Sequence, residues 1–301
     1  MSGVPMRSAA NLVGFSRSLF SGEVSSPRLF VGKSAESAVL LGAFQRACEL
    51  PAASVGSRAV LRRITGGGAI EVGPGVLAVT MAYPNLPSLA KSALPLQSAQ
   101  ILNRAVRPVL RALTRTVHPT QYFGRDWLSS EKRPTGLVSF AHEARSDRLV
   151  VEAFLSFGAS CLTLERASYQ GKIPVSYEDL RKKPVDEARF VEVLAEESGL
   201  LVEPFPEGFS DRGSMPEPDE PGWKSRVDEA LGPLYAGRDA QGLVRLGGEL
   251  VASFDRVAWL ERNLEPLSER ESRIDQAFTE SGAHLFGVKS LRSISDLLAP
   301  F

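Results

Sequence analysis

Three consecutive glycines, Gly66-Gly67-Gly68, lie inside Arg62-Arg63-Ile64-Thr65-Gly66-Gly67-Gly68-Ala69-Ile70, and Gly73-Pro74-Gly75-Val76-Leu77 follows almost at once. With no Cβ atoms, backbone here can take positive φ and lie against a ligand with its N–H groups free. The flanking runs Ala59-Val60-Leu61 and Val76-Leu77-Ala78-Val79-Thr80 are short, apolar and partly β-branched, which is strand chemistry. The glycines are therefore expected to connect strands inside a sheet, unlike a phosphate loop that opens a helix. An isolated glycine triplet also fits a floppy hairpin. The paired arginines and the Gly-Pro-Gly shift the balance toward a turn built to hold something.

At 301 residues, 43% hydrophobic and 23% charged, the chain is long enough for one large domain and a smaller one. Lysine plus arginine equals aspartate plus glutamate at 35 each, so no global field argues for nucleic acid or an anionic membrane. Cys48 and Cys161 are too few for a disulfide framework and show no metal-ligand spacing. The first twenty residues lack a signal-peptide core, and no apolar run reaches the ~18 residues of a membrane span. The expectation is a soluble protein of the reducing cytoplasm.

Ala38-Val39-Leu40-Leu41-Gly42 reads as a strand, with Gln45 placing an amide just beyond its end. Residues 97–117 read as a helix kinked or broken at Pro108. Its arginines, Arg104, Arg107, Arg111 and Arg115, are either a solvated face or a docking face for an acidic partner. A separate acidic set, Glu192, Glu196, Glu197, Glu203 and Glu207, lies further on. Residues 126–129, 136–140 and 148–155 look like antiparallel strands, followed by helices at 176–180 and 185–198, the second stopped by Gly199. The expected division is an α/β domain over 1–205, a Pro/Gly/acidic linker over 206–221 and a helical region over 222–301. That region is read from Val227, Leu231 and Leu234, then Leu243 to Val257, then a capping box at Ser268 to Glu271, then 291–298.

These pieces resemble a known family, the biotin and lipoate protein ligases together with the octanoyl transferases. Residues 62–70 are similar to the lipoate-ligase signature Arg-Arg-x-Thr/Ser-Gly-Gly-Gly-Ala, and residues 73–77 to the Gly-Pro-Gly-x-Leu of octanoyl transferases. Leu41-Gly42 with Gln45 matches an upstream Leu-Gly-x-x-Gln, and Gly124-Arg125-Asp126 through Gly136 resembles the segment that carries Lys-x-x-Gly. The resemblance implies an α/β (α+β) fold with a mixed, largely antiparallel sheet flanked by helices. It implies that the Gly loop holds an acyl chain or adenylate, while a lysine contacts the acyl carbonyl or nucleotide phosphate, stabilising charge where it develops. The ligand-binding positions it implies are Gln45, Arg62, Arg63, Thr65, Gly66, Gly67, Gly68, Gly75 and Gly136.

The pattern breaks at three places. Arg133 stands where the family has its lysine, with Lys132 beside it. Val72 stands where a histidine follows the Gly loop, and Val151 to Ala153 replace a His-Gly pair. An arginine fork does not substitute for an ammonium that must approach one carbonyl closely. Among other candidates, Cys161 reads as a buried thiol or a thioester nucleophile, and Cys48 likewise. Trp127 reads as core or as the lining of an acyl channel. His118 and His142 are scattered singly, and Glu152 and Glu165 have no identifiable partner.

Two readings follow. In the first, the chain is a catalytically degenerate relative that keeps the fold as a binding or scaffolding module, its C-terminal region facing a lipoyl-type carrier domain or another protein. In the second, it is an active lipoyl or octanoyl transferase or ligase using ATP and lipoate or octanoate, with Arg133 or Lys132 as the electrostatic group.

Overall fold

The structure, a computed structural model, describes residues 4–45, 50, 55–90, 96–164, 166–210, 222–279 and 282–301. It opens with β1 (Met6–Arg7), α1 (Ala9–Ser21), β2 (Arg28–Ser34), β3 (Ala38–Leu41), β4 (Ala59–Arg62), β5 (Ile70–Val72) and β6 (Val76–Tyr83). Helices α2 (Leu86–Ala90), α3 (Ser98–Ala105) and α4 (Arg107–Thr116) follow, then β7 (Gln121–Tyr122), β8 (Trp127–Ser130), β9 (Arg133–Glu143) and β10 (Arg148–Ser156). After α5 (Tyr177–Arg181), α6 (Glu187–Ser198) and β11 (Val202–Pro204) comes the C-terminal region. It comprises β12 (Gly222–Asp228), β13 (Pro233–Arg238), β14 (Val244–Gly248), β15 (Val251–Ala252), α7 (Phe254–Asn263), α8 (Arg270–Phe278), β16 (Leu285–Phe286) and α9 (Leu291–Leu298).

The main sheet has the order β1-β2-β6-β10-β9-β8-β7, with β11 also on β2. Every pairing from β2 through β7 is antiparallel, and β1 and β11 run parallel to β2. This is the mixed, largely antiparallel α/β architecture expected. All eight residues of β6 are buried, because both faces of the sheet are covered and period-2 alternation sends side chains to each. Leu77, Val79 and Met81 pack with Ile101, Val109 and Phe190 beneath α3, α4 and α6. Val76, Ala78 and Ala82 pack with Leu12 and Phe15 of α1 and with Ile64 and Ile70 around the Gly loop. The predicted break at Pro108 is real: α3 and α4 are separate, and the proline sits in the first turn of α4, where a missing N–H costs nothing.

A second, three-stranded sheet of order β4-β3-β5 carries the glycines. Strand β3 is parallel to β4 and antiparallel to β5, so the Gly loop joins the two strands that flank β3.

The C-terminal region departs from expectation. Strands β12, β13 and β14 form an antiparallel sheet where the spacing of Val227, Leu231 and Leu234 had suggested a helix. Burial alternates strictly along β12, and Gly232-Pro233 blocks any helix from continuing into Leu234. Among the described residues of this region, α-helix occupies α7, α8 and α9, with a 3-10 turn at Leu267–Glu269 before α8. The capping box at Ser268 is not formed; α8 begins after Glu269 without a side-chain cap. Of the expected linker, residues 211–221 lie outside the described residues. Phe209, near its start, packs edge-on to Phe15 at 5.0 Å between ring centres.

Candidate functional site

The Gly loop is wound around a buried guanidinium. Arg63, 1% exposed, donates from Nε to Thr65 Oγ1 (3.1 Å) and from Nη1 to Leu40 O (3.1 Å). Its Nη2 donates to Gly66 O (2.6 Å) and Gly68 O (2.7 Å). Burial lowers its pKa to about 10, against the pull of Glu152 and Asp126, so it remains a cation at neutral pH. Arg62 is also buried and donates to Gly42 O (3.2 Å) and to Gln45 O. Both arginines thus hold backbone.

The loop N–H groups are not free, contrary to expectation. Gly66 N donates to Phe140 O (3.3 Å), Gly67 N to Leu250 O (2.9 Å) and Gly68 N to Asp126 Oδ2 (3.3 Å). The absence of Cβ atoms lets other parts of the same chain approach. A Cβ on Gly66 would lie 2.2 Å from Leu250 O, and one on Gly68 would lie 2.3 Å from Arg166 Cζ. Only Gly67 uses the left-handed region, at φ +80°.

Arg166 occupies the space beside Gly68. It donates from Nη2 to Asp126 Oδ2 (2.7 Å) and Leu231 O (3.1 Å), and from Nε to Glu249 Oε2 (2.7 Å), which Nη2 also meets. Burial opposes its charge, and Asp126 and Glu249 outweigh that, holding the guanidinium well above its ordinary pKa. Glu249 itself is raised by burial, with Arg166 pulling the other way. Gln45 accepts Gly42 N at Oε1 (3.0 Å) and reaches Glu249 Oε1 at 3.5 Å. Glu152, on the loop-facing side of β10, accepts the Thr65 hydroxyl at 2.5 Å, and the Ser139 hydroxyl donates to Gly66 O at 2.8 Å. Glu152 stands within the three residues that replace the His-Gly pair.

The remaining predicted positions scatter. Gly75 abuts the 158–159 backbone, where a Cβ would lie 2.6 Å from Ala159 N. Gly136 lies within the sheet, 2.7 Å by the same measure from Phe154 O. Lys132 is exposed in the β8–β9 turn at φ +64°. Arg133 donates to Ile173 O (3.0 Å) and Pro174 O (3.3 Å). It stands six residues along β9 from Ser139, about 20 Å at ~3.4 Å per residue. The fold does not bring Arg133 or Lys132 to the Gly loop. Arg133 instead anchors one wall of a cleft of ≈ 220 Å³ lined by Leu162, Leu164, Arg166, Tyr169, Lys172 and Pro174.

Cys161 is fully buried, bonded to Ser156, and burial pushes its thiol up to about 11. Trp127 is core, edge-on to Tyr169. Cys48 and Glu165 lie outside the described residues. Among the described residues no three metal-type side chains converge, and no helix is long and apolar enough to cross a membrane. Sequence reasoning missed Arg166, Glu249 and the role of Glu152. The one available signal was that Asp126, their shared neighbour, ends the Gly124-Arg125-Asp126 piece.

No family model matches the chain, and no curated protein matches it by sequence. Solved structures do. LipL1 of P. falciparum in complex with lipoate superposes with a TM-score of 0.61 at 10% identity, over 99% of each chain. Lipoate-protein ligase A bound with ATP gives 0.51 at 13% identity, over 68% of this chain and 90% of the other. A bi-partite lipoate protein ligase from Thermoplasma acidophilum, studied with its E2 lipoyl domain, gives 0.50 at 14% identity over 69% and 88%. The chain therefore has the fold of the lipoate-protein ligases.

Proposed function

We propose that this chain keeps the lipoate-ligase fold without acyl-transfer chemistry and acts as a binding or scaffolding module in the cytoplasm. The observation that carries this reading is that every N–H of Gly66, Gly67 and Gly68 is bonded within the chain, while Arg166 and the 249–251 backbone fill the space beside them. An acyl chain laid there would have to displace a buried ion-pair cluster, and unpairing such a cluster costs several kcal/mol. The replacements at Val72, Glu152 and Arg133 support the same reading. A lipoyl-type carrier domain is the partner class, since a neighbour of this fold was solved as part of a system with one. The C-terminal region, with its own sheet and half-exposed helices, offers the surface.

The test is to incubate the purified chain with lipoate or octanoate, ATP and a lipoyl carrier domain, and to weigh the carrier by intact-protein mass spectrometry. The carrier is expected to bind and keep its original mass. An acyl mass gain above a boiled control contradicts the reading.

The second reading, an active transferase or ligase, draws on the ≈ 220 Å³ cleft beyond Arg166, whose lining includes Lys172. It expects Arg133→Ala or Lys132→Ala to abolish a measurable transfer.

A further inference from the structure

The cleft of ≈ 220 Å³ beside Arg166 has an apolar wall of Leu162, Leu164 and Pro174 and carries Arg166, Tyr169 and Lys172. Among the described residues that line it there is no carboxylate. Asp126, Glu249 and Leu231 O take the Nε and Nη2 edges of Arg166, and none of those three residues lines the cleft. The Nη1 edge is left over. It is buried without a hydrogen-bond partner, as is the Tyr169 hydroxyl, and the guanidinium lies 5.4 Å from the Tyr169 ring centre. Buried donors with no acceptor are costly unless something supplies one. Because two carboxylates already offset the charge of Arg166, the attraction for an anion comes from Lys172. Its ammonium stands 5.7 Å from the Trp127 ring centre and donates to the neutral Gln170 Oε1 at 3.4 Å.

Ile173 sits on the lip of the same cleft and is 72% exposed. The chain fixes it there. Gln170 and Gly171 turn the backbone through the left-handed region, at φ +54° and +73°, and Lys172 N donates to Tyr169 O at 3.0 Å. Arg133 holds Ile173 O and Pro174 O, and Val175 N donates to Pro134 O at 3.0 Å. A large apolar side chain is thus presented to solvent on a backbone held from both sides, which lowers the ordering cost of covering it.

We infer that this cleft is a docking site for a protein segment that carries an acidic side chain next to an aliphatic one. The carboxylate enters between the Lys172 ammonium and the free edge of Arg166, where charge-assisted hydrogen bonds form, and the aliphatic neighbour covers Ile173. A free small acid would meet the same donors and leave Ile173 bare, so the exposed lip favours a protein segment. The inference rests on the reading of the chain as a binding module. It adds a second surface to the C-terminal region and names the chemistry of the segment that surface takes.

Two peptides, acetyl-Leu-Glu-Leu-amide and acetyl-Leu-Gln-Leu-amide, titrated into the isotope-labelled full chain at neutral pH test this by NMR. The signals followed are the Trp127 indole N–H and the Gly171 and Ile173 amides. The expected result is saturable movement with the glutamate peptide in the millimolar range, about tenfold weaker with the glutamine peptide and weakened by added salt. Lys172→Glu is expected to abolish the response to the glutamate peptide, and Ile173→Ser to weaken it. If either variant fails to fold, the peptide pair still decides: equal responses, or none, overturn the inference. Acetate that moves the same signals as strongly as the glutamate peptide, concentration for concentration, also overturns it, since the cleft would then be a small-acid pocket. Acyl transfer to a carrier alongside a preference for glutamate counts against the catalytically silent reading alone. Absent transfer with no preference for glutamate counts against the docking site alone.

Discussion

Two guanidiniums, Arg63 and Arg166, share the surroundings of three glycines with the carboxylates of Asp126, Glu152 and Glu249. Such a cluster is stable only while all its members are paired, which makes the glycines a packing requirement. Gly68→Ala would drive a Cβ into the Arg166 guanidinium. It is expected to destabilise the chain by ~1–3 kcal/mol, the usual cost of overpacking. Gly73→Ala, whose Cβ meets only Ser37, at 3.4 Å from Oγ and 3.9 Å from Cα, is expected to change stability by under ~0.5 kcal/mol. Urea titrations of both variants check the contrast; equal effects would count against it. Arg62, Arg63, Thr65 and the glycines were legible because they are neighbours in the chain. Arg166 and Glu249 were not: their contacts span 40 and 83 residues, and no local pattern marks either.

At the scale of elements, the two charged segments noticed in the sequence meet each other. Arg115 of α4 pairs with Glu196 and Glu197 of α6, and Arg111 reaches Glu197. Arg28 takes Glu203 and Arg7 takes Glu207. The acidic partner that the helix could have docked is thus largely its own chain. Arg115 is half exposed, and exposed pairs are worth little, so Arg115→Ala is expected to lower the melting temperature only slightly, an effect that shrinks with added salt. Thermal melts at low and high salt check this. Strands β6, β8, β9 and β10 of the main sheet were legible from apolar runs and polar turns, whereas β2 (Arg28–Ser34) was not. Strand β12 was not, because Trp223, Ser225 and Val227 alternate with charged or polar residues over only one short stretch, while Val227, Leu231 and Leu234 happen to fall at helical spacing.

At the scale of the whole molecule, two of its hydrophobic cores cross the expected domain boundary. Leu231, Val251 and Phe286 belong to the same core as Leu77 and Phe140, and Ala43 and Phe44 belong to the core of the C-terminal region. Residues 1–205 expressed alone would expose those faces, leave the Gly67 N–H without Leu250 and strip Arg166 of Glu249. They are expected to be insoluble or to lack a cooperative melt, and a sharp melt of that fragment would contradict the shared interior. The composition shift at 206–221 was legible as a break in chemistry, but the contacts that cross it were not, since they join positions far apart in the chain.

The central claim is that the Gly loop is satisfied and covered by its own chain. The most direct measurement is the amide signals of Gly66, Gly67 and Gly68 at pH 7.5 during addition of lipoate with ATP. The account predicts that all three stay where they are to the solubility limit of the ligand. Saturable movement of those signals, at any ligand concentration below that limit, would contradict it.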